Sequence, residues 1–294
     1  MAFDVAGNIL KTRMKNTILK KGFQGKDAKP EEIKRFKWLN LDNSQNIRTD
    51  NDLFRFMQEH PFSVMLPSED SILPDLVSAI NGEIVFISEY PNIAKQFESI
   101  FLGFADKFIN TGKVFEYPLL QSSNVLIEKK HFQLLYYLKA KDFIINEHAL
   151  KIVNFISENG PKSKREIRDF FRTDPNIFSR IDSFLYQLIS SFSLYKISFD
   201  KIDGNIYDVL TNFAPDLKNQ PTSPPELHTL IESIISSSLY IKPTDLQRGL
   251  KKLFSNEEIE KSISNLEKSG KIFKTKINKQ IVAVHKETFE KTNI

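Results

Sequence analysis

The stretch "NGPKSKREIRDFFR", residues 159–172, decides how the second half of the chain is interpreted. Five basic side chains lie within eleven residues, directly after a Gly-Pro turn. Ser163 is followed three residues later by Glu166, a capping box that marks the start of a helix. The apolar residues spaced to face inward from this helix are Ile167, Phe170 and Phe171.

The segments on either side of this stretch predict a small domain. Residues 148–159, "HALKIVNFISEN", have the periodicity of an amphipathic helix, and Asp174-Pro175 is a good start for another. Two strand-like runs, "SLYKISF" and "NIYDVL", follow and are joined by "DKIDG". This order of helices and hairpin predicts a winged helix over residues 146–215. In its last helix the residues expected to face inward are Ile177, Phe178, Ile181, Leu185 and Leu188.

The same order of elements recurs after the proline-rich joint "APDLKNQPTSPPE". Two helical segments come first, and then Ser255 and Glu258 form a second capping box. The runs "KIFKTKI" and "QIVAVHK" predict a hairpin with a two-residue turn. A second winged helix is therefore predicted over residues 225–290.

The fold predicted for the whole chain is mostly α with small β wings, an α+β protein with tandem winged helices around a mixed middle block. The middle block is expected over residues 61–145, where short apolar runs are interrupted by proline and glycine. Residues 1–60 are expected to form a basic, helical N-terminal region.

Composition excludes several classes of site. The 294 residues contain no cysteine, so disulfides, thiolate catalysis and cysteine-ligated metals are absent. The five histidines never fall at a metal-ligand spacing, and the glycines form no phosphate-binding loop. We therefore expect neither a metal nor another cofactor. No signal peptide and no apolar run of about 20 residues is present, which predicts a cytoplasmic protein without membrane contact.

Charge is distributed unevenly along the chain. The net charge is +4, but residues 1–37 carry ten Lys/Arg against four Asp/Glu. Residues 62–102 contain six acids and one base, and residues 161–180 have six bases against three acids. Such asymmetry is compatible with a basic binding face on an acidic body, although an uneven scatter of charges is the alternative.

The basic positions suit contact with double-stranded DNA. In a helix-turn-helix the second helix presents its exposed face to the major groove, while the turn and wing contact phosphates. Lys and Arg bind phosphates and Gln can bind base edges. The alternative is that these side chains form the solvated face of an ordinary helix. The predicted DNA-binding residues are Lys162, Lys164, Arg165, Arg168, Arg172, Arg180, Gln187, Arg13, Lys20 and Lys21.

The second predicted winged helix has a different charge pattern. Its third helix mixes acids and bases, which would repel phosphate about as much as attract it. A structural role, or a protein partner docked through this C-terminal winged helix, fits better. The exposed positions expected in that helix are Glu257, Glu258, Glu260, Lys261, Ser264 and Lys268.

Two segments carry a family resemblance. "DLFRFMQEHPFSVMLPSEDSILPDLVSAINGE" and "GKVFEYPLLQSSNVLIEKKHFQLLYYL" precede the first predicted winged helix. Together, over roughly residues 48–215, they resemble the AlkZ-like (YcaQ-like) winged-helix DNA glycosylase family, and within it the AlkZ-related branch. The resemblance implies tandem winged helices that form a concave, basic surface for DNA, and with them a third winged-helix-like unit within residues 1–60.

The chain departs from that family at its catalytic signature. The family's Gln-x-Gln or Gln-x-Asp motif, which positions water at the glycosidic carbon, does not occur here. Asp106, within "GFADKF", is a weak catalytic candidate, and a solvated or helix-capping aspartate is the alternative. We expect a DNA-binding protein that recognises damaged or distorted duplex without this motif. The sequence leaves open whether the chain is an enzyme, which would be an active DNA glycosylase of base-excision repair, or a protein-docking, transcription-related scaffold.

Overall fold

A computed structural model describes residues 47–66, 73–81, 90–120, 124–200, 202–219, 221, 223–277 and 280–292. The N-terminal positions predicted to bind DNA, Arg13, Lys20 and Lys21, lie outside these residues. The described chain combines α-helices with small antiparallel sheets, which confirms the α+β expectation. None of its described helices is both long enough and apolar enough to cross a membrane.

The first part of the described chain surrounds a three-stranded sheet. The strands have the antiparallel order β1–β3–β2, with Ile127 of the central strand opposite both Phe62 and Phe115. The elements are α1 (Asp50–Glu59), β1 (Phe62–Val64), α2 (Leu76–Asn81), α3 (Tyr90–Phe104) with a π-helical turn (Ala105–Ile109), β2 (Val114–Pro118), β3 (Asn124–Glu128) and α4 (Lys129–Lys139).

Both faces of this sheet are buried. Successive side chains of a strand point to opposite faces, so Val125 and Ile127 pack on one side and Leu126 on the other. Leu126 joins a core built with Leu53 of α1 and Phe104 of α3. Val125 and Ile127 join a larger core that extends to the C-terminal end of the chain. The sheet is therefore the wall that separates two hydrophobic cores.

Residues 147–213 form a unit with a core of its own. Its small sheet has the order β4–β6–β5, in which the short first strand pairs with the last. Ser163 Oγ accepts from the Glu166 amide and the Glu166 carboxylate accepts from the Ser163 amide at 2.7 Å, so the predicted capping box is confirmed. The elements are α5 (Glu147–Asn159), β4 (Lys162–Ser163), α6 (Lys164–Phe170), α7 (Pro175–Phe178), α8 (Ile181–Ser190), β5 (Leu194–Asp200), β6 (Gly204–Val209) and α9 (Leu210–Phe213).

The C-terminal residues repeat this order of elements. Ile241 pairs with Ala283 in an isolated antiparallel bridge, which occupies the place of the β4–β6 pairing in the preceding unit. The second predicted capping box, between Ser255 and Glu258, is also confirmed. The elements are α10 (Leu227–Ser237), α11 (Pro243–Leu250), α12 (Asn256–Lys268), β7 (Ile272–Ile277), β8 (Gln280–His285) and α13 (Lys286–Thr292).

Two aromatic side chains expected inside the first unit lie at its surface. Phe170 is 59% exposed and Phe178 is 39% exposed, so their predicted inward orientation is wrong. The helix α7 is only four residues long, and Ile177 alone takes its core position. Phe170 instead stacks against the ring of Phe155, with 3.9 Å between the ring centroids.

Specific polar contacts join the units to the central sheet. Tyr117 Oη of β2 donates to the Ser190 carbonyl at 2.7 Å, at the end of α8. The Phe62 amide of β1 donates to Ser237 Oγ of α10 at 3.2 Å. Burial of Tyr117 raises the pKa of its phenol, so this donor keeps its proton over the whole physiological range. The sheet is thus attached to both repeated units by buried or half-buried hydrogen bonds.

Close packing of α11 on the segment that follows β2 gives a prediction about stability. A Cβ added at Gly249 would lie 2.5 Å from Leu120 Cδ2 and 3.3 Å from Leu120 Cα. Gly249→Ala should therefore lower the free energy of unfolding by about 1–2 kcal/mol, because overpacking outweighs the gain in helix propensity. Chemical denaturation of the two proteins measures the difference.

Gly103→Ala is the matched control. This glycine also lies in a helix, but a Cβ there would meet Asp50 at ordinary contact distances of 3.4–3.5 Å. The substitution should leave the free energy of unfolding unchanged or raise it by up to about 1 kcal/mol. Equal effects of the two substitutions would contradict the packing described for Gly249.

Candidate nucleic-acid interface

A groove on the first unit brings together four of its basic side chains. Its volume is about 640 Å³, and its walls are formed by α6 with the following Arg172, the end of α7 and the β5–β6 turn (residues 202–204). We refer to it as the α6 groove. Its lining residues are Lys164, Arg165, Arg168, Asp169, Arg172, Phe178, Ile202, Asp203 and Gly204.

The β5–β6 turn is held against the first half of α6. Gly204 has a φ of 80°, a left-handed conformation that favours glycine, and it allows the chain to reverse into β6. A Cβ at this position would lie 4.0 Å from Lys164 Cβ, so the turn and the helix are neighbours. Arg165 Nη1 lies 3.4 Å from Asp203 Oδ1 and links the two walls of the groove.

Asp182 of α8 holds two of the cations together. Lys164 Nζ lies 2.7 Å from one carboxylate oxygen, and Arg168 Nη2 lies 3.1 Å from the other. The hydrogen bond from Lys164, and more weakly the charge of Arg168, keep the pKa of Asp182 below its usual value against the opposing effect of burial. The carboxylate therefore fixes the spacing of two groove cations while it offsets part of their charge.

The remaining charges leave the groove positive. Arg172 makes no ion pair with any residue in the described ranges, and it is exposed. Four cationic side chains line the groove against the two carboxylates of Asp169 and Asp203. Even with Asp182 beside it, the surface has an excess of positive charge, which attracts anions such as phosphate groups.

The other predicted DNA-binding residues lie apart from the groove lining. Lys162 pairs with Glu166 at 3.6 Å, the acid of the capping box. Arg180 lies over the Phe184 ring at 4.9 Å, at the start of α8. Gln187 is half-buried farther along that helix. The structure thus places Lys164, Arg165, Arg168 and Arg172 on one surface and leaves these three elsewhere.

Asp106, the weak catalytic candidate, lies in the π-helical turn that ends α3. Its carboxylate is exposed and accepts a hydrogen bond from Asn110 Nδ2 at 3.2 Å. It is not among the residues that line the α6 groove. This environment is that of a solvated aspartate at a helix end. Among the described residues, no group of three or more His, Asp or Glu side chains is arranged to hold a metal ion.

Two apolar side chains also line the groove, and the sequence did not assign them there. Phe178 is 39% exposed and Ile202, in the β5–β6 turn, is 80% exposed. Phe178 was expected to face inward as one of several apolar residues on a single helix that starts at Asp174-Pro175. The four-residue length of α7 was the missing information, since it brings only one of two adjacent apolar residues inward.

The acidic third helix of the C-terminal unit is partly engaged within its own unit. Glu258 caps α12 through its contacts with Ser255. Glu260 accepts a hydrogen bond from Gln247 Nε2 of α11 at 2.7 Å. The predicted exposure of Glu257, Glu260 and Lys261 agrees with the structure. Docking of a protein partner on this helix stays a prediction.

Comparisons with known proteins support a relationship in fold. No family model matches the sequence, and no curated protein matches it. A solved structure, the DNA glycosylase AlkZ of Streptomyces sahachiroi, is similar with a TM-score of 0.53 at 9% sequence identity. The similarity covers 88% of this chain and 71% of that chain. The resemblance to the AlkZ-like family is therefore confirmed at the level of the fold.

The ion pairs of Asp182 with Lys164 and Arg168 can be tested by titration. Since its pKa is lowered in the folded state, ionised Asp182 stabilises the protein above the unfolded pKa of about 3.9, and the stabilisation is lost as pH falls through the lower folded value. Lys164→Met should raise the pKa of Asp182, because the largest stabilising contact is removed. Carboxyl ¹³C shifts followed against pH measure both values. An unchanged pKa of Asp182 in the variant would contradict the contact with Lys164.

Proposed function

We propose that this chain binds double-stranded DNA through the α6 groove. The observation that carries the proposal is the convergence of four cationic side chains on one concave surface, in a chain whose fold is similar to that of a DNA glycosylase. Lys164, Arg165, Arg168 and Arg172 would contact phosphates of the duplex backbone.

The proposal includes two winged helices, over residues 146–215 and 225–290. In the first, the sheet order β4–β6–β5 and the succession of helices α6 to α8 support a helix-turn-helix with a β wing. The bridge between Ile241 and Ala283 supports the same arrangement in the second. The α6 groove would then lie along the first helix of the motif, which is the helix that crosses the DNA backbone in a helix-turn-helix.

Binding of this kind should be electrostatic and sensitive to salt. Each neutralised phosphate releases counterions, so the logarithm of the affinity falls by about 0.9 per log unit of salt for each phosphate contacted. The carboxylates of Asp169, Asp182 and Asp203 compete with phosphate for the same cations. We therefore expect moderate affinity and little preference for base sequence.

We propose binding without base excision by the family's usual motif, since neither Gln-x-Gln nor Gln-x-Asp occurs in the sequence. A labelled duplex that carries an alkylated base, incubated with the protein and treated with alkali, tests this part. Intact strands are expected. Strand cleavage would favour an active glycosylase instead, and Asp106→Asn would be the first variant to examine.

Removal of the charge of Arg172, which has no ion pair with any described residue, tests the binding surface. Arg172→Gln should weaken binding to a duplex roughly three- to tenfold and make the salt slope about 0.9 shallower, because one phosphate contact is lost. Fluorescence anisotropy of a labelled duplex over a salt series measures both quantities.

The matched control for Arg172 is Arg55→Gln, since Arg55 is also exposed but lies on α1, away from the groove. It should leave affinity and slope unchanged. Equal losses from both substitutions would argue for diffuse attraction rather than a site. Binding that is absent at low salt, or independent of salt, would favour a protein-docking scaffold.

Removal of the carboxylate at Asp182 should have the opposite effect. Asp182→Asn leaves Lys164 and Arg168 without their shared counter-charge, so affinity for duplex should rise by roughly three- to tenfold and the salt slope should steepen. Fluorescence anisotropy of the labelled duplex over a salt series measures both the affinity and the salt slope.

Asp142→Asn is the matched control for Asp182. Asp142 pairs with Lys139 at 2.8 Å, and its side chain has nearly the same exposure, 59% against 61% for Asp182. Asp142 lies between α4 and α5, so its substitution should leave DNA affinity unchanged. Weaker binding by Asp182→Asn would show that Asp182 orders the groove more than it competes with phosphate.

A further inference from the structure

We propose that the α6 groove takes an unpaired nucleotide, with its base stacked on the ring of Phe178 and its flanking phosphates held by the groove cations. The inference rests on the proposed DNA binding and narrows its ligand to DNA in which a base has left the helical stack. It assigns contact with a base to Phe178, an aromatic side chain that shares the groove with four cationic ones.

The exposure of Phe178 is the first observation behind this inference. Phe178 lines the α6 groove together with four cationic side chains and is 39% exposed. Contact with a phosphate does not use an aromatic ring, whereas contact with an unstacked base does. Its neighbour Ile177 is fully buried, so the orientation of α7 that fills the core also presents the Phe178 ring to the groove.

The opposite wall of the groove adds a second apolar contact. Ile202 is 80% exposed in the β5–β6 turn, and Arg165 ties that turn to α6 through Asp203 at 3.4 Å. The groove therefore has an aromatic side chain on one wall, an aliphatic one on another and cations around them. Its volume of about 640 Å³ lies within the range of small-molecule binding pockets.

This combination of residues matches the chemistry of single-stranded nucleic acid. Proteins that bind single strands combine a positive groove, which follows the phosphates, with aromatic rings on which bases stack. Stacking tolerates any base, because every base has a π-face. Such a surface recognises the state of the base rather than its identity.

An intact duplex cannot use the Phe178 ring in this way. Its bases are stacked on one another, and extrusion of one costs a few kcal/mol in general, least where the base is mismatched, damaged or already unpaired. The four cations remain able to contact the phosphates of any duplex. The groove should therefore bind perfect duplex through charge alone, and a duplex with unpaired nucleotides through charge and stacking.

The other exposed rings of the first unit do not have this setting. Phe170 stacks on Phe155, with 3.9 Å between centroids, so one of its faces is covered. Tyr186 of α8 lies beside Lys252, whose Nζ is 3.3 Å from the phenol oxygen. Neither ring is among the residues that line the α6 groove. Phe178 is thus the aromatic side chain that the described groove offers to a base.

The test compares two labelled duplexes of the same sequence, one perfect and one with a three-nucleotide bulge, by fluorescence anisotropy at fixed salt. The natural protein should bind the bulged duplex more tightly. Phe178→Leu should weaken binding to the bulged duplex by roughly 5- to 150-fold, the range for loss of a stacking aromatic, and leave the perfect duplex unaffected. Phe178→Trp should keep the preference for the bulged duplex, because a larger ring stacks at least as well.

Phe273→Leu is the matched control, since Phe273 is 41% exposed but lies on β7 of the other unit. It should keep the preference for the bulge. An unchanged unfolding temperature of Phe178→Leu shows that a loss of affinity is not a loss of fold. If the role of the ring were structural, Phe178→Trp would lose affinity for the bulged duplex as well.

Equal affinity of the natural protein for both duplexes would overturn the inference while leaving DNA binding intact. Parallel losses on both duplexes in Phe178→Leu would also overturn it. Absence of binding to either duplex at low salt would instead refute the proposed function itself.

Discussion

The central constraint of this structure is a three-stranded sheet that must be covered on both faces. In β3, Val125, Leu126 and Ile127 are all apolar and alternate between the two sides, so neither face can be left to water. The helices α1 to α3 cover one face. The other face is covered by α4, by the helices of the C-terminal unit, and by Phe192, Tyr195 and Leu210 of the first repeated unit, all within a single core.

The first repeated unit has a hydrophobic core of its own as well as a contact with the sheet. Its own helices and hairpin form that core, with Ile152, Ile167 and Phe184 buried among them. Its contact with the sheet is aromatic and polar, since Phe192 stacks on Tyr117 of β2 with 4.7 Å between ring centroids and Tyr195 Oη accepts from the Glu116 amide at 3.1 Å. The α6 face is left to water, and ion pairs rather than packing set the positions of its cations. Exposed ion pairs contribute little stability, so these side chains can exchange a carboxylate for a phosphate at small cost.

Local signals in the sequence predicted much of this fold, and long-range contacts limited the rest. The capping boxes at Ser163 and Ser255 locate helix starts correctly, because each depends on residues only three apart. The repeated order of helices and hairpin follows from the same kind of local pattern. The exposure of Phe178 was not predicted, since the phase of a four-residue helix is set by what packs around it. Asp182 and Asp203 lie on other elements, and their carboxylates hold Lys164, Arg168 and Arg165 near one another. Because these contacts join residues far apart in the sequence, the sequence did not predict which basic residues converge.

DNA binding in the α6 groove is tested most directly by an NMR titration that follows the arginine side-chain Nε–Hε resonances as a DNA duplex is added. If the duplex binds there, the resonances of Arg165, Arg168 and Arg172 shift together, with the same apparent affinity. Those of Arg55 on α1 and Arg248 on α11, which do not line the groove, stay in place. Coincident shifts would locate the phosphates in the α6 groove. Unchanged groove resonances, or shifts confined to arginines on other elements, would contradict it.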